Sequence, residues 1–120
     1  MAPGTAQALL QSPASFLGFE IVSAAGGRRR DRRVKPGDGT ATLTPEALRF
    51  AGARLDQEVA IPVIDIHGVA VASTHNGRRC WAGKVLKVSF GGGETRVLGL
   101  RMRSSDAAEW HRLLEQLVAG

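Results

Sequence analysis

Residues 84–119 read KVLKVSFGGGETRVLGLRMRSSDAAEWHRLLEQLVA, and this stretch decides the fold. Leu86, Val88 and Phe90 alternate with polar residues, and after a run of glycines the alternation resumes at Leu98 and Leu100. Because successive side chains of a strand point to opposite faces, both segments are typical of strands with one buried face. The glycines between them predict a turn, so the two strands form an antiparallel hairpin.

The apolar period changes after residue 103. Four apolar residues are spaced as i, i+3, i+4 and i+7, the stripe of an amphipathic helix: Trp110, Leu113, Leu114 and Leu117. Ser105 or Asp106 is the predicted N-cap, and Glu109 follows Asp106 at the spacing of a capping box. A lone helix of this length is marginal in water, so its Trp110 face must pack against the strands.

Five further short β-prone segments precede the hairpin, at residues 16–22, 40–44, 47–51, 59–63 and 64–73. Thr44, Pro45 and Glu46 predict a turn between the second and third of them, and Pro62 marks an edge or a bulge because it cannot donate to a ladder. Seven strands followed by one helix predict a mainly β (α+β) domain. We expect a partly open antiparallel barrel that is capped by the C-terminal helix.

The length of 120 residues predicts one domain. Pro3, Gly4 and Pro13 indicate a flexible lead over residues 1–15, with the domain at 16–120 and a loop at 24–38. One cysteine, Cys80, excludes an intrachain disulfide and fits a reducing, cytoplasmic compartment. No apolar run approaches the about 20 residues that span a bilayer, and the first 15 residues, without Lys or Arg, do not resemble a secretory signal.

The net charge of +5 equals the charge of residues 28–35, within the loop at 24–38. Residues 28–35 hold six cations and one carboxylate, and the rest of the chain holds 10 charges of each sign. The sequence is therefore that of a neutral body with one basic loop. The candidate anion-binding residues are Arg28, Arg29, Arg30, Arg32, Arg33 and Lys35.

A second cluster places an aromatic residue between cations: Arg78, Arg79, Trp81 and Lys84. Tryptophan suits a membrane interface, and arginine beside an aromatic ring suits stacking on nucleic acid. We favour the simpler interpretation, in which Trp81 packs against the barrel rim among solvated cations. Cys80 and three scattered histidines do not supply the four closely spaced ligands of a structural zinc site. We therefore expect no metal, no cofactor and no catalytic group.

The order of elements resembles the pleckstrin-homology-like superfamily, and most closely its GRAM-type and bacterial branch. The residues that carry the resemblance are Gly39, Leu43, Thr44, Leu48, Phe50, Ile61, Pro62, Asp65, Ile66 and the helix residue Trp110. The resemblance implies a seven-stranded barrel with a C-terminal helix and a binding module rather than an enzyme. It also implies that the Arg28–Lys35 loop joins the first two strands, and that the second cluster lies at the opposite end of the barrel.

Three kinds of partner follow from these features. The first is a protein partner or a second copy, which an exposed sheet edge can bind by strand addition. The second is an anionic phospholipid surface bound through the basic loop, with the domain peripheral at the inner membrane face. However, the strands flanking the loop lack the Lys and Arg that complete the headgroup site of lipid-binding relatives. Nucleic acid is the weakest alternative, and no small-molecule substrate is expected.

Overall fold

The computed structural model describes residues 8–23, 27–31, 37–52, 58–75, 78–79, 83–91 and 94–119, and at residues 28–31 and 78–79 it describes the main chain. Ten strands and one helix lie in these ranges: β1 (Leu10–Val22), β2 (Arg28–Asp31), β3 (Gly37–Leu43), β4 (Ala47–Gly52), β5 (Val59–Pro62), β6 (Ile66–Ala72), β7 (Thr74–His75), β8 (Arg78–Arg79), β9 (Lys84–Phe90), β10 (Thr95–Met102) and α1 (Ser104–Ala119).

Seven of the strands form one antiparallel path in the order β5-β4-β3-β1-β10-β9-β6, and β2 pairs separately with β1. The path does not close, because its two end strands, β5 and β6, are not hydrogen-bonded to each other. A short 3-10 turn, Val63–Asp65, joins these two strands. The predicted fold class, a mainly β, partly open antiparallel barrel with a C-terminal helix, is confirmed.

β1 is the strand that both halves of the sheet share. Its first half, from Leu10 to Phe16, pairs with β3, and its last four residues pair with β2. Along its other side it pairs with β10, with a shift of register between Phe16 and Phe19. Gly18 lies in this irregularity with φ of 92°, a conformation that glycine adopts without steric cost.

The core lies between the inner face of the sheet and α1. Its largest members include Phe16, Phe50 and Trp110, all at most 1% exposed. Trp110 also carries a polar group into the core, where its Nε1–H donates to Ser12 Oγ at 3.0 Å. This hydrogen bond joins α1 to the first half of β1, and both of its partners are buried.

Three local features differ from the sequence prediction. β1 begins at Leu10, six residues before the predicted start, so the flexible lead was drawn too long. The predicted loop at 24–38 contains β2 and the start of β3, and the predicted loop before β9 contains the β7–β8 hairpin. The helix begins at Ser104, which puts the predicted caps inside its first turn. Pairing with other strands produces β2, the start of β3 and the first residues of β1. The local sequence carries little signal for such pairing.

The Ser12–Trp110 hydrogen bond gives a test of the core. Ser12→Ala leaves a buried indole N–H without its acceptor, so we expect a loss of about 1–3 kcal/mol of unfolding free energy. Chemical denaturation measures this loss. The matched control is Thr42→Ala, which removes an exposed hydrogen bond to Gln11 between the same strands, β1 and β3, and should cost less than about 1 kcal/mol. Equal losses in the two variants would contradict the assignment.

Candidate functional site

The residues of the two predicted clusters lie in three strands and in two stretches outside the described residues. Arg28, Arg29 and Arg30 belong to β2, and Arg78 and Arg79 form β8. Lys84 opens β9, where its Nζ donates to Ser73 Oγ at 3.2 Å. Arg32, Arg33, Lys35 and Trp81 lie outside the described residues.

The β7–β8 hairpin is anchored to the outer face of the sheet by His75. Leu98 and Leu100 belong to the core, so Gly99 between them faces outward. The His75 ring occupies the space of a side chain at residue 99, because a Cβ at this position would collide with ring atom Cδ2. His75 is 1% exposed, and its Nε2–H donates to the Gly18 carbonyl at 2.8 Å.

Two charged side chains from the sheet face the other nitrogen of His75. Glu20 on β1 places Oε1 3.5 Å from His75 Nδ1, and Lys87 on β9 places Nζ 3.1 Å from the same carboxylate oxygen. Burial lowers the pKa of His75 below its ordinary value of 6.5; the Gly18 carbonyl and Glu20 oppose this shift and Lys87 adds to it. At neutral pH the ring is therefore uncharged, and Lys87 balances Glu20.

The same contact brings the two predicted basic clusters into one neighbourhood. Glu20 is paired across the β1–β2 ladder with Arg30, and His75 is paired across the hairpin with Arg78. Both cationic strands thus adjoin the Glu20–His75 pair. The expectation that the clusters lie at opposite ends of the barrel is wrong, because the chain between β6 and β9 folds back over the outer face. Nothing in the spacing of His75 indicated that it would be buried against Gly99.

A polar groove of about 470 Å³ opens where the first half of β1 leaves β10. Ser15 Oγ donates to Asp38 Oδ1 at 2.5 Å and accepts from Arg101 Nη2 at 3.2 Å. Ser15 thus links Asp38 and Arg101 by hydrogen bonds. The described lining of this groove contains no histidine or cysteine that could act as a base or nucleophile.

Two apolar grooves flank the C-terminal half of α1, and they meet at Val118. The larger, about 530 Å³, is lined by Pro45, Glu46, Val63, Ile64, Ile66, Leu117 and Val118. The smaller, about 220 Å³, lies between β6 and the helix and is lined by His67, Gly68, Val69, Glu115, Val118 and Ala119. We call the two together the β6–α1 groove. At its mouth the side chain of Ile64 is 92% exposed.

No group of three or more His, Cys, Asp or Glu side chains within the described residues is arranged to hold a metal ion. The helix of the described chain is too short and too polar to cross a bilayer.

No protein-family model and no curated protein matches the sequence. The fold is similar to a chain in the structure of the 8S snRNP assembly intermediate, with a TM-score of 0.64 and 14% identity over 99% of this chain and 87% of that one. It is also similar to the C-terminal domain of an unknown protein from Leishmania infantum, with a TM-score of 0.58 and 12% identity over 94% and 85% of the two chains. An SsgA-like sporulation-specific cell division protein from Thermobifida fusca matches at a TM-score of 0.37 and 13% identity over 99% and 88%. At these identities the first two likenesses show the fold alone.

The buried His75 predicts a pH dependence of stability. Because its folded pKa lies below 6.5, the folded chain binds fewer protons than the unfolded chain between the two values. Stability should therefore fall as the pH falls from about 6.5, by at most about 1.4 kcal/mol for each pH unit.

Denaturation at several pH values checks this slope. His75→Gln can still donate to the Gly18 carbonyl but does not titrate, so the slope assigned to His75 should disappear. The slope should persist in His67→Gln, which changes an exposed histidine and leaves His75 in place. A slope that survives in His75→Gln would contradict the assignment.

Proposed function

We propose that this chain is a non-catalytic binding module of the pleckstrin-homology-like type, and that it binds an extended protein segment along β6. The type is supported by seven strands in one open antiparallel path, followed by a C-terminal helix that buries Trp110. These features agree with the resemblance of the sequence to the GRAM-type and bacterial branch. The binding surface is argued from the sheet edge.

The observation that carries the proposal is the free edge of β6. In the described chain β6 has a partner strand only on its β9 side. Natural proteins protect exposed edges with short strands, charged residues or proline. The other end of the path, β5, has four residues and ends at Pro62, whereas β6 has seven residues and contains no Lys, Arg, Asp, Glu or Pro. α1 packs against β6, but the strand itself carries neither charge nor proline, and we propose that its edge accepts another strand beside the helix.

The surroundings of this edge suit an extended segment. Strand addition supplies main-chain hydrogen bonds, and pockets for alternate side chains supply specificity. The β6–α1 groove is lined by Gly68 and Val69 and by Ile64, which is 92% exposed, and Val71, farther along β6, is 39% exposed. A bound segment would pair with β6 and bury apolar side chains against α1.

Selection from a random peptide library on the purified chain tests the proposal. Enriched peptides, made synthetically and titrated into labelled protein, should shift the backbone amide resonances of β6 and of Leu117 and Val118. Val71→Lys places a charge on the edge and should weaken binding about tenfold or more, because pairing would bury that charge.

The matched control is Val71→Thr, which keeps the size and β-propensity of the side chain without a full charge and should bind nearly as well. Two results would contradict the proposal. The first is a selection that enriches no binding peptide, and the second is enriched peptides that do not shift the amide resonances of β6. Equal peptide binding by Val71→Lys and Val71→Thr would show that the β6 edge takes no part in binding.

A second candidate function is binding to an anionic phospholipid surface. The observation that favours it is the position of β2 and β8, which bring five arginines of the two predicted clusters to the neighbourhood of Glu20 and His75. Each cation near an anionic membrane contributes about 1 kcal/mol. Several acting together would hold the domain at a membrane in a strongly salt-dependent way.

Co-sedimentation with vesicles separates this candidate from the first. If the membrane is the partner, the chain should sediment with phosphatidylserine-containing vesicles at low salt and much less at moderate salt. Replacing the five arginines of residues 28–33 by serine should abolish this co-sedimentation. Vesicles of phosphatidylcholine alone are the control. If the unchanged chain stays in the supernatant at low salt, the membrane candidate fails and the β6 proposal is unaffected.

A further inference from the structure

We infer that the segment bound in the β6–α1 groove is basic: an extended stretch of a partner protein in which apolar residues alternate with Lys or Arg. The inference rests on the proposed function, and adds to it the chemistry of the partner. It comes from the distribution of charge around the groove.

Every fully charged side chain that lines the groove is a carboxylate. Glu46 borders the larger part and Glu115 the smaller part, while the described lining includes no Lys or Arg. A third carboxylate, Asp65, is exposed between Ile64 and Ile66. Glu115 is 60% exposed and has His111 Nε2 3.0 Å away, so it remains accessible to a partner. The rim of this apolar surface is therefore acidic.

No Lys or Arg of the described chain lines the groove, although Arg112 is exposed on α1 one turn before Glu115. Lys84 and Lys87 are on β9, Lys87 facing Glu20, and Arg49 on β4 is held by Glu58 at 2.8 Å. Arg101 points to Ser15 at the polar groove. This separation matters because the chain is basic as a whole, with a net charge of +5. A non-specific attraction for the whole chain would select acidic partners, whereas this groove favours the opposite sign.

The same charges argue against a second copy as the occupant. A two-fold dimer brings the same patch of both chains together, so that each residue of the interface faces the symmetry-related surface. Such a dimer through β6 would bring Glu46, Asp65 and Glu115 of one copy close to those of the other. Like charges at an interface are unfavourable and act against the wrong partner. A segment with positive charges avoids this repulsion and complements the rim.

Two probe peptides with the same apolar pattern test the inference. One reads KVKVTVKVK and the other EVEVTVEVE, both with blocked ends, and their binding is measured by fluorescence anisotropy at low and moderate salt. We expect the basic peptide to bind about tenfold more tightly at low salt, since each exposed ion pair contributes a few-fold. The preference should shrink with salt and in the Glu46→Gln, Glu115→Gln double variant.

Substitutions at Ile64 separate charge from apolar contact. Ile64→Lys and Ile64→Glu both remove the same side chain, which is 92% exposed, so neither should affect folding. For the basic peptide, the Glu variant should bind several-fold more tightly than the Lys variant, and for the acidic peptide the order should reverse. Amide shifts on β6 confirm that the probes bind in the groove.

The outcomes distinguish this inference from the proposed function. Equal affinity for both peptides at β6, or tighter binding of the acidic one, overturns the inference and leaves β6 as a binding edge. Binding of neither probe also overturns it, and the library selection then decides separately whether the groove accepts any segment. A concentration-dependent dimer in sedimentation that excludes the peptides and dissociates in Ile64→Lys overturns it in favour of a second copy.

Discussion

The irregularity of β1 at Gly18 is the constraint on which the rest of the molecule depends. A strand of 13 residues pairs with β3 over its first half and with β2 over its last residues, while β10 lies along its other side. One strand can serve both halves only where its register shifts, and Gly18 makes the shift possible with a φ of 92°. The shift also turns the Gly18 carbonyl toward His75, so the same residue that bends the sheet anchors the outer hairpin.

The charged residues of the molecule lie on two sides of this bent sheet. On the outer face, the anchored hairpin and β2 bring arginine positions next to Glu20, and Lys87 neutralises that carboxylate inside the cluster. On the open side, where β5 and β6 fail to meet, α1 covers the core and leaves a groove whose charged lining is acidic. One small domain thus presents two surfaces of different chemistry.

Much of the fold could be predicted from local pattern. The alternation around Leu86 and Leu98 specified the β9–β10 hairpin, and the helical stripe identified Trp110 and Leu114 as buried residues of α1. The Thr44 turn was also predictable, because its side chain accepts from the Ala47 amide as turn residues do. By contrast, Leu10–Ser15 contains a proline and small polar residues, and only pairing with β3 makes it a strand.

The candidate sites divide in the same way. The sequence by itself determined the class of fold, the concentration of net charge in one segment, and the absence of charge or proline within β6, since each of these is a property of composition or spacing. The tertiary structure alone decided that β6 is an end strand with a groove beside it, that carboxylates from two distant segments line this groove, and that His75 is buried against Gly99. These depend on long-range contacts, which strand pairing and helix packing establish between residues with no fixed spacing in the chain.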